Sequence, residues 1–375
     1  MPRWFAWRMQ ENVLTRSVIC QRAAVPCFFT QLHTLIGLKV SALDWAPLRS
    51  IIETNQKFMI STHVRPDADA LGSELGMAAI LEAFGKEVTI VNASAPPANL
   101  QFMKPENRIL KLSEDIQRDA LPAVDVHVIV DTSAWQQLGA MADVIQKSGA
   151  RRVVVDHHVS SDDMGATEFK DVEAPAAGEL VFEAAENLGV TFDTATASAL
   201  YAAIATDTGW FRFPSTSSST MRIAGELMGL GAEPHVLYNL LYEQRTVARV
   251  RLAGRVLGRV ETDCEGRLAW IYADRNDLSS TGAVPSDTES LVNECLMIAD
   301  TEAAFIAVRL PSGQTKFSLR CRPPHDVAAL AATLGGGGHK LASGATLSET
   351  LPEALAKVKD AFVEMLLPKS VPQND

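Results

Sequence analysis

The chain has 375 residues, 47% of them hydrophobic, and a formal net charge of −11. This length suits one or two domains with a sizeable core, and the negative charge argues against a long, sequence-independent contact with duplex DNA. The five cysteines are scattered, which excludes a disulfide framework and a zinc ribbon and favours a cytoplasmic protein. No apolar run approaches 18 residues, which excludes a membrane span.

Residues 1–43 differ in composition from the rest of the chain. The segment has five basic residues against a single acid, Glu11: Arg3, Arg8, Arg16, Arg22 and Lys39. Arginine-rich, acid-poor stretches occur in organelle transit peptides. We favour a disordered extension, or a start codon placed too early, over a targeting segment.

From residue 44 onward, patterns of buried strands alternate with patterns of helices. Four apolar runs predict strands: Phe58–Thr62, Val88–Val91, Val126–Val130 and Val153–Val155. The intervening segments Ala70–Phe84 and Trp135–Gln146 predict helices. This alternation predicts βαβ units and a parallel sheet, whose strands are apolar throughout because both faces are covered. Mostly helical segments then continue to residue 245.

The rest of the chain predicts a second, smaller α/β domain. Residues 246–262 form a predicted helical connector. Strands are expected at Leu268–Ala273, Ala303–Leu310 and Lys316–Arg322, and helices at Val327–Leu334 and Leu351–Leu367. We therefore predict an α/β chain with two domains, residues 44–245 and 263–368, and a short tail at 369–375.

Acidic and histidine side chains follow the ends of three predicted strands. They are His63, Asp67 and Asp69 after the first strand, Asp131 after the third and His157 after the fourth, with Asp207 later in the chain. The carboxyl ends of parallel strands meet at one edge of a sheet, so these side chains are expected to converge. Taken singly, each has a common structural explanation, as a core histidine, a turn residue or a helix cap. Their joint occurrence in this order favours a metal site.

The donor types indicate which ion such a site would hold. Imidazole and carboxylate suit divalent ions such as manganese, and the lack of thiolates disfavours structural zinc. The spacing allows His63 and Asp67 to share one ion while Asp69 faces a second. Asp131 would bridge the two ions, and His157 and Asp207 would complete the second. Such a pair of ions holds both oxygens of an in-line phosphoryl displacement.

Two further groups complete the candidate site. Asp156 precedes two histidines and is expected to hold an imidazole in the correct tautomer. Backbone N–H groups of the glycine run, residues 335–338, could bind a phosphate. Beside the run lie Arg320, Arg322, His339 and Lys340, and arginine binds phosphate oxygens in a bidentate manner.

The triplet Asp156-His157-His158, together with the order of the other motifs, resembles the DHH phosphoesterase superfamily over roughly residues 44–368. Length and domain set are similar to the NrnA-type enzymes, the nanoRNases. The resemblance implies two manganese ions, with Mg²⁺ or Co²⁺ as substitutes. One ion would be held by His63, Asp67 and Asp131, and the other by Asp69, Asp131, His157 and Asp207. His158 would contact the scissile phosphate, and the terminal phosphate would be bound by Arg320, Arg322, Gly336, Gly337, Gly338 and His339.

The implied function is hydrolysis of short RNA oligonucleotides to 5′-mononucleotides, and of 3′-phosphoadenosine 5′-phosphate (pAp) to AMP. Homodimers are common in the family. Three alternatives share the chemistry: a RecJ-type exonuclease for single-stranded DNA, a phosphodiesterase for linear dinucleotides such as pApA, and a related pyrophosphatase. A fourth, from a different class, is a non-catalytic nucleotide sensor, which would require the loss of a ligand that this sequence retains.

Overall fold

The computed structural model describes residues 43–103 and 108–367. The predicted extension and tail therefore lie outside the described residues, apart from Leu43. The chain divides into two compact units, Met1–Leu241 and Tyr242–Asp375. The finer domain limits given above remain a prediction. Within the described ranges, no helix is both long enough and apolar enough to cross a bilayer.

The first unit is a parallel sheet with helices. Its elements in chain order are α1 (Ala46–Thr54), β1 (Lys57–Ser61), α2 (Ala68–Ala83), β2 (Glu87–Asn92), β3 (Ile109–Lys111), β4 (Val126–Val130), α3 (Ala140–Lys147), β5 (Arg151–Asp156), β6 (Thr167–Lys170), α4 (Ala177–Leu188), α5 (Thr194–Asp207), α6 (Ser218–Gly229) and α7 (Pro234–Tyr242). The six strands pair in the order β3-β2-β1-β4-β5-β6, all parallel. This confirms the predicted α/β class.

Burial explains why these segments form strands. Every residue of β4 is buried, and its neighbours β1 and β5 are buried over most of their length. A strand covered on both faces needs a continuous apolar run, which these segments have. The short outer strands β3 and β6 carry a weaker pattern, and sequence reasoning missed them.

The predicted single helix at Trp135–Gln146 was wrong in detail. A short 3₁₀ turn, Trp135–Leu138, is separated from α3 by Gly139. Gly139 has a φ of 54°, a left-handed conformation that cannot continue a right-handed helix. The chain therefore changes direction at this residue.

Helices α2 and α5 pack closely against each other. A Cβ atom at Gly72 of α2 would collide with the carbonyl oxygen of Ala199 in α5. Glycine at this position lets the two backbones approach. The approach matters because α2 carries Asp69 near its beginning and α5 carries Asp207 at its end.

The second unit has a mixed sheet with helices on both faces. Its elements are α8 (Val247–Leu257), β7 (Glu261–Asp263), β8 (Leu268–Ala273), α9 (Arg275–Thr281), α10 (Leu291–Leu296), β9 (Ala303–Arg309), β10 (Thr315–Cys321), α11 (Val327–Thr333), β11 (Gly337–His339), β12 (Ala342–Leu347) and α12 (Leu351–Leu366). The strand order is β11-β12-β10-β9-β8-β7, with only the β8–β9 pair parallel. One core lies under α11 and α12 and a second under α8, α9 and α10.

The glycine run is not a plain loop. Gly337–His339 forms β11, which pairs antiparallel with β12. A Cβ atom at Gly336 would collide with the carbonyl oxygen of Gly344, and one at Gly338 would lie 2.7 Å from the Cα of Ser343. Glycine is therefore needed at both positions because the backbones touch.

Candidate metal centre

The predicted acidic and histidine residues converge at the carboxyl edge of the first sheet. His63 follows β1, Asp131 directly follows β4, and His157 directly follows β5. The strand order reverses between β1 and β4, and this switch point is where open α/β sheets form a binding crevice. Helices supply the other members: Asp67 caps α2, Asp69 lies in its first turn, and Asp207 ends α5.

The side chains form two groups that share Asp131. The Nε2 atom of His157 lies 3.6 Å from Asp69 Oδ2, 3.4 Å from Asp131 Oδ1 and 3.5 Å from Asp207 Oδ2. The Nε2 atom of His63 lies 3.3 Å from Asp131 Oδ2 and 3.9 Å from Asp67 Oδ1. Each oxygen of Asp131 therefore faces a different group.

These donors fit divalent cations. Asp131 Oδ1 and His157 Nε2 are buried without a hydrogen-bond partner, which is costly unless another ligand satisfies them. Three overlapping sets each offer ligand atoms within 4.8 Å of one another: His63, Asp67 and Asp131; Asp69, His157 and Asp207; and Asp131, His157 and His158. Such spacing suits nitrogen and oxygen atoms about 2.0–2.2 Å from a common ion. A set of carboxylates and imidazoles without thiolates favours manganese or magnesium over structural zinc.

Backbone groups hold the donors in place. Asp69 accepts hydrogen bonds from the N–H groups of Ala177 and Gly178, at 2.7 and 2.8 Å, which places its charge at the N-terminus of α4. The Nδ1 atom of His157 lies 3.1 Å from the carbonyl oxygen of Ala174. Donation from Nδ1 leaves Nε2 free as a ligand atom. His63 has the same arrangement with the carbonyl oxygen of Val64.

The acids repel one another strongly. Burial raises the pKa of Asp69 well above its ordinary value, and the charges of Asp131 and Asp207 raise it further. Burial and the charge of Asp67 raise the pKa of Asp207 to about 7. Bound cations would relieve this repulsion and keep the acids ionised.

The pKa values of Asp131 and of the two histidines shift so as to favour the charged forms. Burial by itself would raise the pKa of Asp131, but the two imidazoles that face it lower it below the ordinary range. Burial would lower the pKa of His63 and His157, but Asp131 outweighs it and raises both to about 9. Asp131 also has a φ of 59°, and strain of this kind concentrates at functional sites.

A buried network lies behind His158. The Nδ1 atom of His158 lies 2.8 Å from Oδ1 of Asp156. The other oxygen of Asp156 accepts a hydrogen bond from Ser133 at 2.6 Å and lies 3.1 Å from Nζ of Lys170. Sequence reasoning anticipated the contact of Asp156 with an imidazole but missed Ser133 and Lys170. Lys170 ends β6, a four-residue strand with a single buried residue, Phe169, so its sequence carries little signal.

The second unit brings Arg320 and His339 into one row. Arg320 of β10 and His339 of β11 both lie opposite Ala342 of β12, so all three share one face of the sheet. Burial lowers the pKa of Arg320, and its Nη1 donates to the carbonyl oxygen of Leu319. Among the described residues it has no acidic partner.

Arg322 is placed differently. Its Nε donates to the carbonyl oxygen of Thr301 at 3.0 Å, and its Nη2 donates to the carbonyl oxygen of Leu296. Both contacts are with main chain of its own unit. These hydrogen bonds indicate that Arg322 stabilises its own unit. The substrate-binding role predicted for it stays a prediction.

Comparison with known proteins identifies both units. Residues 57–204 match the DHH family, N-terminal domain, and residues 271–364 match the DHHA1 domain. The chain is 30% identical over 330 residues to the bifunctional oligoribonuclease and PAP phosphatase NrnA of Thermus thermophilus, covering 86% of this chain and 95% of that protein. It is 29% identical over 292 residues to the protein of the same name in Bacillus subtilis, covering 77% and 88%.

A solved structure has the same architecture. The exopolyphosphatase-related protein of Bacteroides fragilis superposes with a TM-score of 0.77 at 27% identity, covering 85% of this chain and 95% of that one. The two matched domains, the extent of the NrnA similarity and this superposition agree. The chain belongs to the DHH family of phosphoesterases, hydrolases of phosphoester bonds, and resembles its NrnA members.

Proposed function

We propose that this protein hydrolyses short RNA oligonucleotides to 5′-mononucleotides and also converts pAp to AMP, using two Mn²⁺ ions. The observation that carries the proposal is Asp131, whose two oxygens face two separate groups of metal-type ligands. Two groups joined by one carboxylate suit the two-ion arrangement used for phosphoryl displacement. The similarity to the NrnA relatives, named as bifunctional oligoribonuclease and PAP phosphatase, supports the substrate class.

In the proposed reaction, the first unit supplies the groups around the phosphorus atom. His63, Asp67 and Asp131 would hold one ion, and Asp69, Asp131, His157 and Asp207 would hold the other. Ions bound there would neutralise charge developing on the phosphoryl oxygens and would lower the pKa of the attacking water. Mg²⁺ or Co²⁺ can take the same donors.

His158 acts on the phosphate itself. The hydrogen bond that its Nδ1 donates to Asp156 raises the pKa of His158, which favours the protonated ring. Because Nδ1 is bound to Asp156, and the His158 side chain is 41% exposed, Nε2 is the atom left to donate to a phosphoryl or leaving oxygen.

The second unit binds the terminal nucleotide. Arg320 offers a guanidinium without an acidic partner among the described residues, and His339 lies in the same row of the sheet. A guanidinium fork matches phosphate oxygens. Backbone N–H groups of the glycine run would add uncharged donors, apart from those of Gly335 and Gly336, which donate to the carbonyl oxygens of Ala332 and Ala331.

The test is a manganese-supplemented assay of three substrates side by side: a labelled RNA dinucleotide, pAp and a long single-stranded DNA. Rapid loss of the dinucleotide, with pAp also hydrolysed, is the expected result. Processive digestion of the DNA with little dinucleotide cleavage would instead favour a RecJ-type exonuclease. Metal binding without turnover of any of the three would favour a nucleotide sensor.

A further inference from the structure

The turn that follows Asp207 has an unusual backbone. Trp210 and Phe211 have φ values of 61° and 62°, in the left-handed region that bulky side chains rarely occupy. Thr208 holds the turn in this shape. Its hydroxyl accepts from the N–H of Phe211 at 3.0 Å, and its carbonyl oxygen accepts from the N–H groups of Arg212 and Phe213, both at 3.0 Å. Strain held in place by a dense local network is typical of functional segments.

The aromatic side chains of this turn point in two different directions. Trp210 and Phe211 pack inward on Tyr201, with ring centroids 6.2 and 5.8 Å away. Phe213 remains outside and is 51% exposed, more than any other phenylalanine, tyrosine or tryptophan in the described part of the chain. Leaving a phenylalanine exposed forgoes the free energy of burial, so its position calls for an explanation outside the core.

The Phe213 ring contacts the backbone of Gly209. A Cβ atom at Gly209 would collide with the far end of this ring, so the ring rests directly on the glycine backbone. Gly209 lies only two residues beyond Asp207. An exposed ring therefore lies against the backbone two residues beyond Asp207, one of the candidate metal ligands.

Arg212 adds a cation beside the ring. Its Nε donates to the carbonyl oxygen of Gly209 at 2.7 Å, and its side chain is exposed. No acidic side chain pairs with it among residues 43–103 and 108–367. Its terminal nitrogens are therefore free to donate to a phosphate oxygen.

We propose that Phe213 and Arg212 form a nucleotide-contacting surface beside the metal centre, in which Phe213 stacks on a nucleobase and Arg212 binds a backbone phosphate. A base stacked on an aromatic ring is recognised whatever its identity, because every base has a π-face. The surface would therefore favour nucleotide substrates over other phosphodiesters without selecting a sequence. The inference rests on the proposed function and specifies how the first unit recognises its substrate.

The experiment compares two substrates that share the scissile phosphate: an RNA dinucleotide and its abasic counterpart. F213L should raise KM for the dinucleotide about tenfold, with little change in kcat and a much smaller rise for the abasic compound. F213Y, which keeps a ring, should restore the dinucleotide KM. R212Q should raise KM for both compounds several-fold, because both carry the phosphate.

F102L provides the matched control, since Phe102 is also partly exposed, at 37%, and lies on a 3₁₀ turn elsewhere in the first unit. It should leave the ratio of the two KM values unchanged. An unchanged dinucleotide KM in F213L, or equal rises for both compounds, would overturn the stacking role. An unchanged KM for both compounds in R212Q would remove Arg212 from the surface.

Binding of a dinucleotide with an uncleavable methylphosphonate linkage, measured by calorimetry, separates this inference from the proposed function. If the wild-type protein does not cleave the RNA dinucleotide but binds the analogue more tightly than F213L does, the proposed activity fails and the surface stands. If the wild-type protein neither cleaves the dinucleotide nor binds the analogue, both fail.

Discussion

Lys170 lies 3.1 Å from the Oδ2 atom of Asp156, a fully buried carboxylate, while the other oxygen of Asp156 contacts His158. Lys170 also donates to the hydroxyl of Ser133 at 2.7 Å and to the carbonyl oxygen of Ser160 at 2.8 Å. These contacts fix the carboxylate that in turn fixes the imidazole. Lys170 is thus a positioning residue that acts through Asp156.

We expect K170M to lower kcat about 10- to 100-fold, the range typical of residues that orient a functional side chain through a neighbouring carboxylate. KM should change little, because Lys170 does not touch the substrate in the proposed reaction. K170R should recover part of the loss. The steady-state kinetics of the dinucleotide reaction provide the measurement.

Lys147 provides a matched control for K170M. Its side chain is 75% exposed and pairs with Asp143 at 3.8 Å, so K147M should leave kcat unchanged. Equal effects of the two variants, or a K170M effect confined to the melting temperature, would contradict the positioning role.

Asp131 is the residue shared by both ligand groups. D131N should lower kcat by at least about 100-fold, and it should reduce the manganese that remains bound after dialysis, measured by elemental analysis. Asp125 provides a matched control, because it lies just before β4 whereas Asp131 lies just after it. The carboxylate of Asp125 accepts hydrogen bonds from the N–H groups of Gln56 and Lys57. D125N should therefore retain both turnover and metal. Near-normal turnover by D131N in manganese would be incompatible with the two-ion proposal.

Arg320 and Arg322 are expected to differ despite their proximity in sequence. R320A should raise KM for short RNA about tenfold and affect a small generic phosphodiester much less. The reason is that only the longer substrate carries the terminal phosphate that Arg320 is proposed to bind. Equal losses on both substrates would contradict this assignment.

R322A should act mainly on stability. It removes two hydrogen bonds to main-chain carbonyl oxygens, which should lower the free energy of unfolding by about 1–3 kcal/mol. Thermal or urea unfolding measures the loss. A rise in KM like that of R320A, with unchanged stability, would instead favour the predicted substrate contact.

Glu179 should make stability depend on pH. It is 5% exposed, and burial raises its pKa to about 7. The folded state therefore keeps a proton that the unfolded state loses near the ordinary carboxyl pKa of 4.3. The contribution of Glu179 to stability is therefore fully present below about pH 4.3 and is lost as pH rises to about 7, by about 4 kcal/mol in total.

E179Q removes this titration, so its stability should vary less over the same pH range than that of the wild-type protein. Urea unfolding at several pH values between 5 and 8 measures the difference. Parallel curves for E179Q and the wild-type protein would show that Glu179 ionises normally.

The sequence by itself predicted the α/β class, the parallel arrangement of the first sheet and the candidate ligands. It could do so because these features depend on local signals. Continuous apolar runs such as Val126–Val130 indicate strands covered on both faces, and a polar residue directly after each run must lie at the carboxyl edge. The convergence of His63, Asp131 and His157 could therefore be predicted from their positions after the strands, without any distances.

Tertiary structure decided what depends on contacts between distant segments. Lys170 could not be assigned from its own short strand, because its role comes from meeting Asp156 across the β5–β6 pair. The glycine run looked like a flexible loop, yet pairing with β12 makes Gly337–His339 a strand, and Gly336 just before it has no room for a side chain. The outward position of Phe213 likewise depends on a left-handed turn after α5. Hydrophobic periodicity records which face of an element is buried, but it carries no information about which partner covers that face.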